Sequence, residues 1–167
     1  DRCLIDVPLV QGDVLTGDGL DEALDGVDVA YYLIHSMDGG GDFVARDRRL
    51  AERFGRAARE ESVARIVYLS GLHPEGELST HLSSRVEVGR ILLGSGVPTA
   101  VLRAAVVLGS GSASFEMLRY LTERLPVMVT PRWVHSRIQP IAVRDVLRYL
   151  VGCALLPPTV NRGFDVG

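Results

Sequence analysis

Several apolar runs of this chain stop at side chains that can do chemistry. Asp13 closes the first run, His35 and Ser36 close the second, Ser70 closes the third, and Arg103 follows the core of the fourth. These carboxylate, imidazole, hydroxyl and guanidinium groups can accept or donate protons and hydrogen bonds. If the runs are parallel strands, their carboxyl ends meet at one edge of a sheet, where ligands of such sheets bind. The spacing therefore predicts a ligand site built from strand ends.

Helix and strand signals alternate along the chain and supply the elements that must hold these groups. The predicted strands are Val7 to Val14, Val27 to Ile34, Ala64 to Ser70, Thr99 to Leu108 and a last one at Phe164 to Val166. The predicted helices are Thr16 to Leu24, one beginning at Phe43, Ser79 to Leu93, Ser114 to Leu125 and Val143 to Leu155. Alternation with these connecting lengths predicts an α/β fold with a doubly wound parallel sheet.

Composition narrows the class of protein. A chain of 167 residues that is 47% hydrophobic is expected to form one domain, residues 1–167. The net charge of -3, with both signs interspersed, argues against a nucleic-acid partner. Cys3 and Cys153 lie far apart without metal-ligand spacing, so no metal site and a reducing cytoplasm are expected. The longest apolar runs are interrupted by Arg103 and Arg148, so no membrane span is expected.

The order of several motifs resembles one family. QGDV, then GVDVAYYLIHS, then RIVYLSG, then SRVEVGRILLGSGVPTAVLRAAVVLG resembles the atypical short-chain dehydrogenase/reductases, which include NmrA-like sensors and nucleoside-diphosphate-sugar epimerase relatives. The resemblance extends over nearly the whole chain and implies a Rossmann-like fold. It also implies NAD or NADP as cofactor and a small-molecule substrate.

The chain departs from that family at its beginning. The family starts with a strand, a glycine-rich turn and a helix whose N-terminus holds the pyrophosphate. No such motif stands in these residues, so the first strand-helix-strand unit, roughly forty residues, is expected to be missing. The domain is therefore expected to be truncated at the N-terminus and at the C-terminus.

A second departure concerns catalysis. Active members of the family use a Ser on a strand and a Tyr and a Lys four residues apart on the next helix. Ser70 matches the Ser, whereas His81 and Arg85 stand where the Tyr and the Lys would be. Residues four apart share one face of a helix, so the geometry is retained while the chemistry changes. His81 could carry a proton near neutral pH, and Arg85 could bind ribose hydroxyls or phosphate.

The resemblance also implies cofactor contacts, each with a plain structural alternative. Asp13, beside Val14, would receive the adenine amino group, or it could cap the following helix or turn. Arg103 and Ala104 would precede and begin the segment that lines the nicotinamide, or the arginine could pair with an acidic neighbour. The remaining implied cofactor contacts are Ile34, His35, Ser36, Ser70 and Gly71.

A proline-bounded region near the end of the chain is where this family builds its substrate pocket. Trp133 and Gln139 are the implied substrate contacts there, and they could instead be loop residues or an oligomer contact. Two functions stay open at this point. One is an oxidoreductase or epimerase-like enzyme, and the other is a redox sensor that holds the cofactor without turning it over.

Overall fold

The computed structural model of the chain describes residues 7–34, 42–73, 76–109, 113–124 and 139–167. Five helices and six strands lie in these ranges. The helices are α1 (Leu20–Leu24), α2 (Phe43–Glu60), α3 (Thr80–Leu93), α4 (Ala113–Arg124) and α5 (Val143–Ala154). The strands are β1 (Val29–Tyr32), β2 (Arg65–Gly71), β3 (Thr99–Ala104), β4 (Val107–Leu108), β5 (Ile141–Ala142) and β6 (Arg162–Val166).

Four strands form one parallel sheet in the order β1-β2-β3-β6. Ile66 of β2 lies opposite Thr99 of β3, and Ala100 of β3 lies opposite Arg162 of β6. Parallel neighbours need helical crossovers, and α2 and α3 provide the first two. The strands β4 and β5 form a separate parallel pair. The prediction of a parallel α/β sheet is confirmed.

Helices cover both faces of the sheet, as a doubly wound fold requires. On the face covered by α1, α2 and α3, here called the α2 face, the core includes Tyr32, Ile66, Tyr68 and Val101. Alternate residues point the other way, so Val67, Ala100 and Leu102 pack with Val146, Leu150 and Cys153 on the face covered by α5.

Three rings form an aromatic cluster in the core of the α2 face. The Tyr32 ring centroid lies 5.0 Å from that of Phe54 and 5.7 Å from that of Tyr68, and both pairs are edge-to-face. This geometry places the positive edge of one ring against the negative face of another. Burial of the Tyr32 and Tyr68 phenols raises the pKa of each, because the charged phenolate loses its hydration.

A buried arginine holds the connection between α5 and β6. Arg65, at the start of β2, is only 3% exposed. Its guanidinium donates to the carbonyl oxygens of Leu156 at 3.1 Å, Pro157 at 2.7 Å and Val160 at 3.2 Å. Arginine suits this place because its planar fork presents several donors at fixed angles.

A buried polar contact joins α2 to α3. The Ser84 hydroxyl donates to Oδ2 of Asp47 at 3.0 Å, and both residues are buried. Hydrogen bonding is what allows polar groups to stay in a packed interface at low cost. On the exposed rim of the same interface, Arg48 pairs with Glu87 at 2.7 Å.

The start of the described chain differs from the prediction. Residues 7–12 form no regular structure, and Asp13 makes only an isolated bridge to Asp18. The predicted strand Val7 to Val14 is therefore wrong, because no strand of the described chain lies beside it to pair with its backbone. The predicted helix from Thr16 shrinks to α1, since Gly17 and Gly19 adopt positive φ angles of 93° and 69° that end helical geometry.

Two further boundaries move. The predicted strand Thr99 to Leu108 is divided into β3 and β4, because bends at residues 105 and 106 turn the chain away from the sheet. Helix α4 begins at Ala113, one residue before the predicted start at Ser114. By contrast, Ser79 caps α3, with its Oγ accepting from the Leu82 N–H at 3.3 Å.

Candidate active site

The carboxyl ends of the sheet strands bring several predicted residues to one edge. Ser70 of β2 lies in register with Arg103 of β3, and Arg103 lies in register with Asp165 of β6. Ile34 follows β1 on the same side of the sheet, since β1 runs parallel to β2. Three of the four predicted strand ends therefore meet, and β6 provides the fourth in place of the segment ending at Asp13.

Ser70 is buried near a second hydroxyl. It is only 4% exposed and lies near the Tyr68 phenol, which donates to the Arg85 carbonyl at 3.5 Å. Burial raises the pKa of Tyr68, while the contact with Ser70 and the positive charge of Arg85 oppose that rise. The sequence pattern did not lead to a prediction of Tyr68 as a site residue. The signal was available, because Tyr68 precedes Ser70 by two positions and residues two apart on a strand share a face.

Gly71 leaves room for Arg85 beside the end of β2. A β-carbon at Gly71 would lie 3.7 Å from Cδ and 4.0 Å from Nη1 of Arg85. The arginine side chain therefore lies against the strand end, within van der Waals reach of the residue after Ser70. Its guanidinium has no hydrogen bond or ion pair with any other residue in the described ranges.

His81 lies one turn before Arg85 and takes a different neighbour. Its imidazole is exposed and stacks on the Phe43 ring at the start of α2, with centroids 4.6 Å apart and planes 21° apart. The expected spacing along α3 is present, but the ring is in contact with α2.

Arg103 is held by two partners. Its Nε lies 2.6 Å from Oδ1 of Asp165 but lacks hydrogen-bond alignment, and Nη1 lies 3.3 Å from Nε2 of His73. Because arginine can only donate, the second contact requires His73 to accept through Nε2. The pairing with an acidic neighbour corresponds to the structural alternative for Arg103. The pair is partly exposed, so its contribution to stability is small.

A cavity of about 190 Å³ brings together three of the predicted residues. Ser70, Arg85 and Arg103 line it, and His81 does not. It lies on the α2 face between α3, β3 and β6, and its floor is formed by Val101 and Gly89. Hydroxyl and guanidinium groups around a small concave space suit a ligand with negative charge or several hydroxyls.

One carboxylate oxygen of Asp13 accepts a hydrogen bond from the neighbouring backbone. Its Oδ1 accepts from the Leu15 N–H at 2.7 Å, and its carbonyl accepts from the Gly17 N–H at 2.7 Å. This turn is the structural alternative foreseen for Asp13. Val14 is partly buried and packs against the core of the α2 face.

Of the remaining predicted residues, Ala104 lies at the carboxyl end of β3 in register with Gly71, and Gln139 lies beside the residue that follows β6. Ala104 is buried, and its carbonyl accepts from the Leu72 N–H at 2.8 Å, which ties the ends of β2 and β3 together. Gln139 is exposed just before β5 and lies against Gly167, where a β-carbon would stand 2.8 Å from Cβ of Gln139. His35, Ser36 and Trp133 lie outside the described residues.

The described ranges contain neither a metal-ligand cluster nor a membrane-spanning helix. No group of three or more His, Cys, Asp or Glu side chains in the described parts of the chain could hold a metal ion. No described helix combines the length and the apolar character needed to cross a membrane.

Solved structures share this fold at low sequence identity. MoeE5, solved in complex with UDP-glucose and NAD, superposes with a TM-score of 0.76 at 18% identity over 95% of this chain and 62% of its own. WbmG from Bordetella bronchiseptica, in complex with NAD, gives 0.78 at 15% identity over 99% and 59%. The UDP-N-acetylglucosamine 4-epimerase from Bacillus cereus gives 0.69 at 17% identity over 93% and 63%.

Sequence comparison adds no closer relative. No protein-family model matches the sequence, and no curated protein sequence matches it. The chain spans about three fifths of the length of the solved structures that it resembles. The TM-scores show a common fold although the sequence identity is low. The chain therefore has the Rossmann-like architecture of these NAD-bound proteins.

Proposed function

We propose that this chain belongs to a cytoplasmic NAD(P)-dependent enzyme of the atypical short-chain dehydrogenase/reductase type. Residues 1–167 would form one cofactor-binding domain of an oxidoreductase or an epimerase-like enzyme that acts on a small substrate and is able to form an oligomer. The observation that supports this most is the in-register meeting of Ser70 and Arg103 at the carboxyl edge of a parallel sheet. The NAD-bound neighbours share that architecture.

The strand-end residues fit a dinucleotide in two respects. Arg85 presents a guanidinium without a described ion-pair partner, and the ends of β1, β2 and β3 lie along the same edge of the sheet. We assign Arg85 to the ribose hydroxyls or a phosphate, and Ile34, Ser70, Gly71, Arg103 and Ala104 to the walls of the cofactor groove, with His35 and Ser36. The Asp13 oxygen that is not used in its turn is assigned to the adenine amino group.

Bound in this groove, the nicotinamide would supply hydride chemistry, and the protein would position the reactants. The Ser70 hydroxyl would donate a hydrogen bond to the reacting carbonyl or hydroxyl oxygen. His81 would carry the proton, since imidazole is the side chain that does so near neutral pH. Trp133 and Gln139 are assigned to the substrate.

A second function is favoured by one observation. The His81 ring is engaged with Phe43 and does not line the cavity that holds Ser70 and Arg85. A protein that binds the cofactor without a proton carrier at the reacting centre would be a redox sensor or a regulatory module. The two functions differ in turnover and agree on cofactor binding.

The test combines binding and turnover in the whole protein that carries these residues. Binding of NAD(H) and NADP(H) is measured by calorimetry, and turnover by nicotinamide absorbance or product analysis with a panel of ketones and nucleotide sugars. In the enzyme, Ser70→Ala lowers kcat about a hundredfold while cofactor affinity changes little. The matched control is Ser83→Ala, which removes an exposed hydroxyl of α3.

The outcomes separate the functions. Turnover that falls in Ser70→Ala and His81→Ala but not in Ser83→Ala supports the enzyme. Cofactor binding without turnover on any substrate supports the sensor. Absence of dinucleotide binding refutes both.

A further inference from the structure

The cavity beside Ser70 continues into a region that the proposed cofactor role does not use. Beyond Ser70, Arg85 and Arg103, its lining includes His73, Arg90 and Gly163. Arg90 lies more than one turn after Arg85 on α3, and Gly163 belongs to β6. The cavity thus extends from the strand ends down the groove between α3 and β6.

The lining is cationic and only partly compensated. Three arginines line the cavity, and no Asp or Glu is among its described lining residues. Asp165 pairs with Arg103 from the rim, at 2.6 Å. Arg85 and Arg90 have no ion pair within the described parts of the chain. Two positive charges therefore remain without a described partner around one small space.

Glycine gives the cavity its shape on the β6 side. A β-carbon at Gly163 would lie 3.2 Å from both Cζ and Nη2 of Arg103. The guanidinium therefore lies flat on the bare backbone of β6, with its remaining edge available to the cavity. On the α3 side, a β-carbon at Gly89 would make an ordinary contact with Val101 at 3.5 Å.

The size limits what can enter. The cavity measures about 190 Å³. That space accommodates a phosphate group with a few further atoms, and it is smaller than the pockets that enclose drug-sized ligands.

We propose that this cavity binds a phosphate group of a small ligand, held by Arg85, Arg90 and Arg103. Guanidinium forks make paired hydrogen bonds to phosphate oxygens, and two uncompensated positive charges match a dianion better than a monocarboxylate. The binding requires no dinucleotide. The proposal extends the proposed cofactor site, since Arg85 and Arg103 are assigned to both, and a test without dinucleotide distinguishes the failure of one from the failure of the other.

The test titrates inorganic phosphate into the purified protein without cofactor, by calorimetry at constant ionic strength maintained with sodium chloride. Constant ionic strength removes the general screening of surface charge. Arg90→Gln is the main variant, because Arg90 is exposed and belongs to no proposed catalytic group. Arg56→Gln is the matched control, an exposed arginine of α2 that does not line this cavity. Acetate serves as the monoanionic probe.

We expect phosphate to bind more tightly than acetate, and Arg90→Gln to weaken phosphate binding about tenfold while Arg56→Gln leaves it unchanged. Gly163→Ala provides a second variant that keeps every charge, and its β-carbon should displace the Arg103 guanidinium and also weaken binding. Circular dichroism establishes that each variant is folded. No phosphate binding by the unmodified protein, or equal loss in Arg90→Gln and Arg56→Gln, overturns the proposal.

Discussion

Arg65 offers the sharpest test of how the sheet is held together. Replacing it by Met removes a guanidinium that donates to three carbonyl oxygens, at 2.7, 3.1 and 3.2 Å. Hydrogen bonds from a charged donor contribute about 1.5–3 kcal/mol each. Against this, the variant no longer buries a charge whose desolvation costs several kcal/mol, and the carbonyls are near enough to the surface to find water.

The balance predicts that Arg65→Met lowers the free energy of unfolding by about 2–4 kcal/mol. With a urea m-value of about 2 kcal/mol/M, the unfolding midpoint should fall by about 1–2 M. The unfolding midpoint of Arg65→Lys should lie between those of the parent and of Arg65→Met, since one ammonium keeps the charge but cannot reproduce the planar fork. Equilibrium urea unfolding followed by circular dichroism measures all three proteins.

The control is Arg56→Met on the exposed side of α2, where a change within about 0.5 kcal/mol is expected. If Arg65→Met unfolds at the same urea concentration as Arg56→Met, the three carbonyl contacts do not hold the α5–β6 connection. If Arg65→Met is more stable than the parent, the burial cost of the charge exceeds the value of its hydrogen bonds.

Four other outcomes are expected. The free energy of unfolding should fall as pH rises above 10, because the unfolded Tyr68 phenol ionises while burial keeps the folded one protonated. Urea titrations at neutral and alkaline pH should show a smaller fall in the free energy of unfolding for Tyr68→Phe than for the parent protein. An equal fall in both proteins would contradict this. In a Cys3→Ser background, Cys153, whose thiol pKa burial raises, should react with a thiol reagent much more slowly in buffer than in urea. Ser62→Gly should raise the thermal midpoint, by up to about 1 kcal/mol in stability, because Ser62 holds a φ of 61° after α2; a lower midpoint would refute it. Asp47→Ala and Ser84→Ala should each cost about 1–3 kcal/mol and couple in a double-mutant cycle, whereas additive losses would show that their contact is energetically silent.

The sequence predicts the elements of the sheet well where burial decides them. β2 and the core of β3 are apolar on both faces, which is the pattern of a parallel strand covered by helices. The long helix α2 carries apolar residues at helical spacing, and its buried side is the one that the pattern indicates. The segment before Asp13 fails for the opposite reason. Alternating residues describe what a strand could bury, but pairing needs a neighbour that local pattern cannot supply.

The site divides in the same way. The meeting of Ser70 with Arg103 follows from strand order alone, so it was predictable from the sequence. The partner that each side chain contacts was not predictable from the sequence. The stacking of His81 on Phe43 depends on how α2 and α3 pack, and the cavity beside Arg90 depends on Gly163, some seventy residues away. Contacts of that range leave no periodic trace in a single sequence.

The aromatic cluster of the α2 face gives this protein an intrinsic optical probe. Packing holds the Tyr32 ring at fixed angles to the Phe54 and Tyr68 rings, so the absorption bands of the tyrosines acquire ellipticity in the near ultraviolet. That signal disappears when side-chain packing is lost, even where helices persist and the far-ultraviolet spectrum hardly changes. Because the rings come from β1, β2 and α2, the spectrum can follow the order of this interior during a ligand titration without any label.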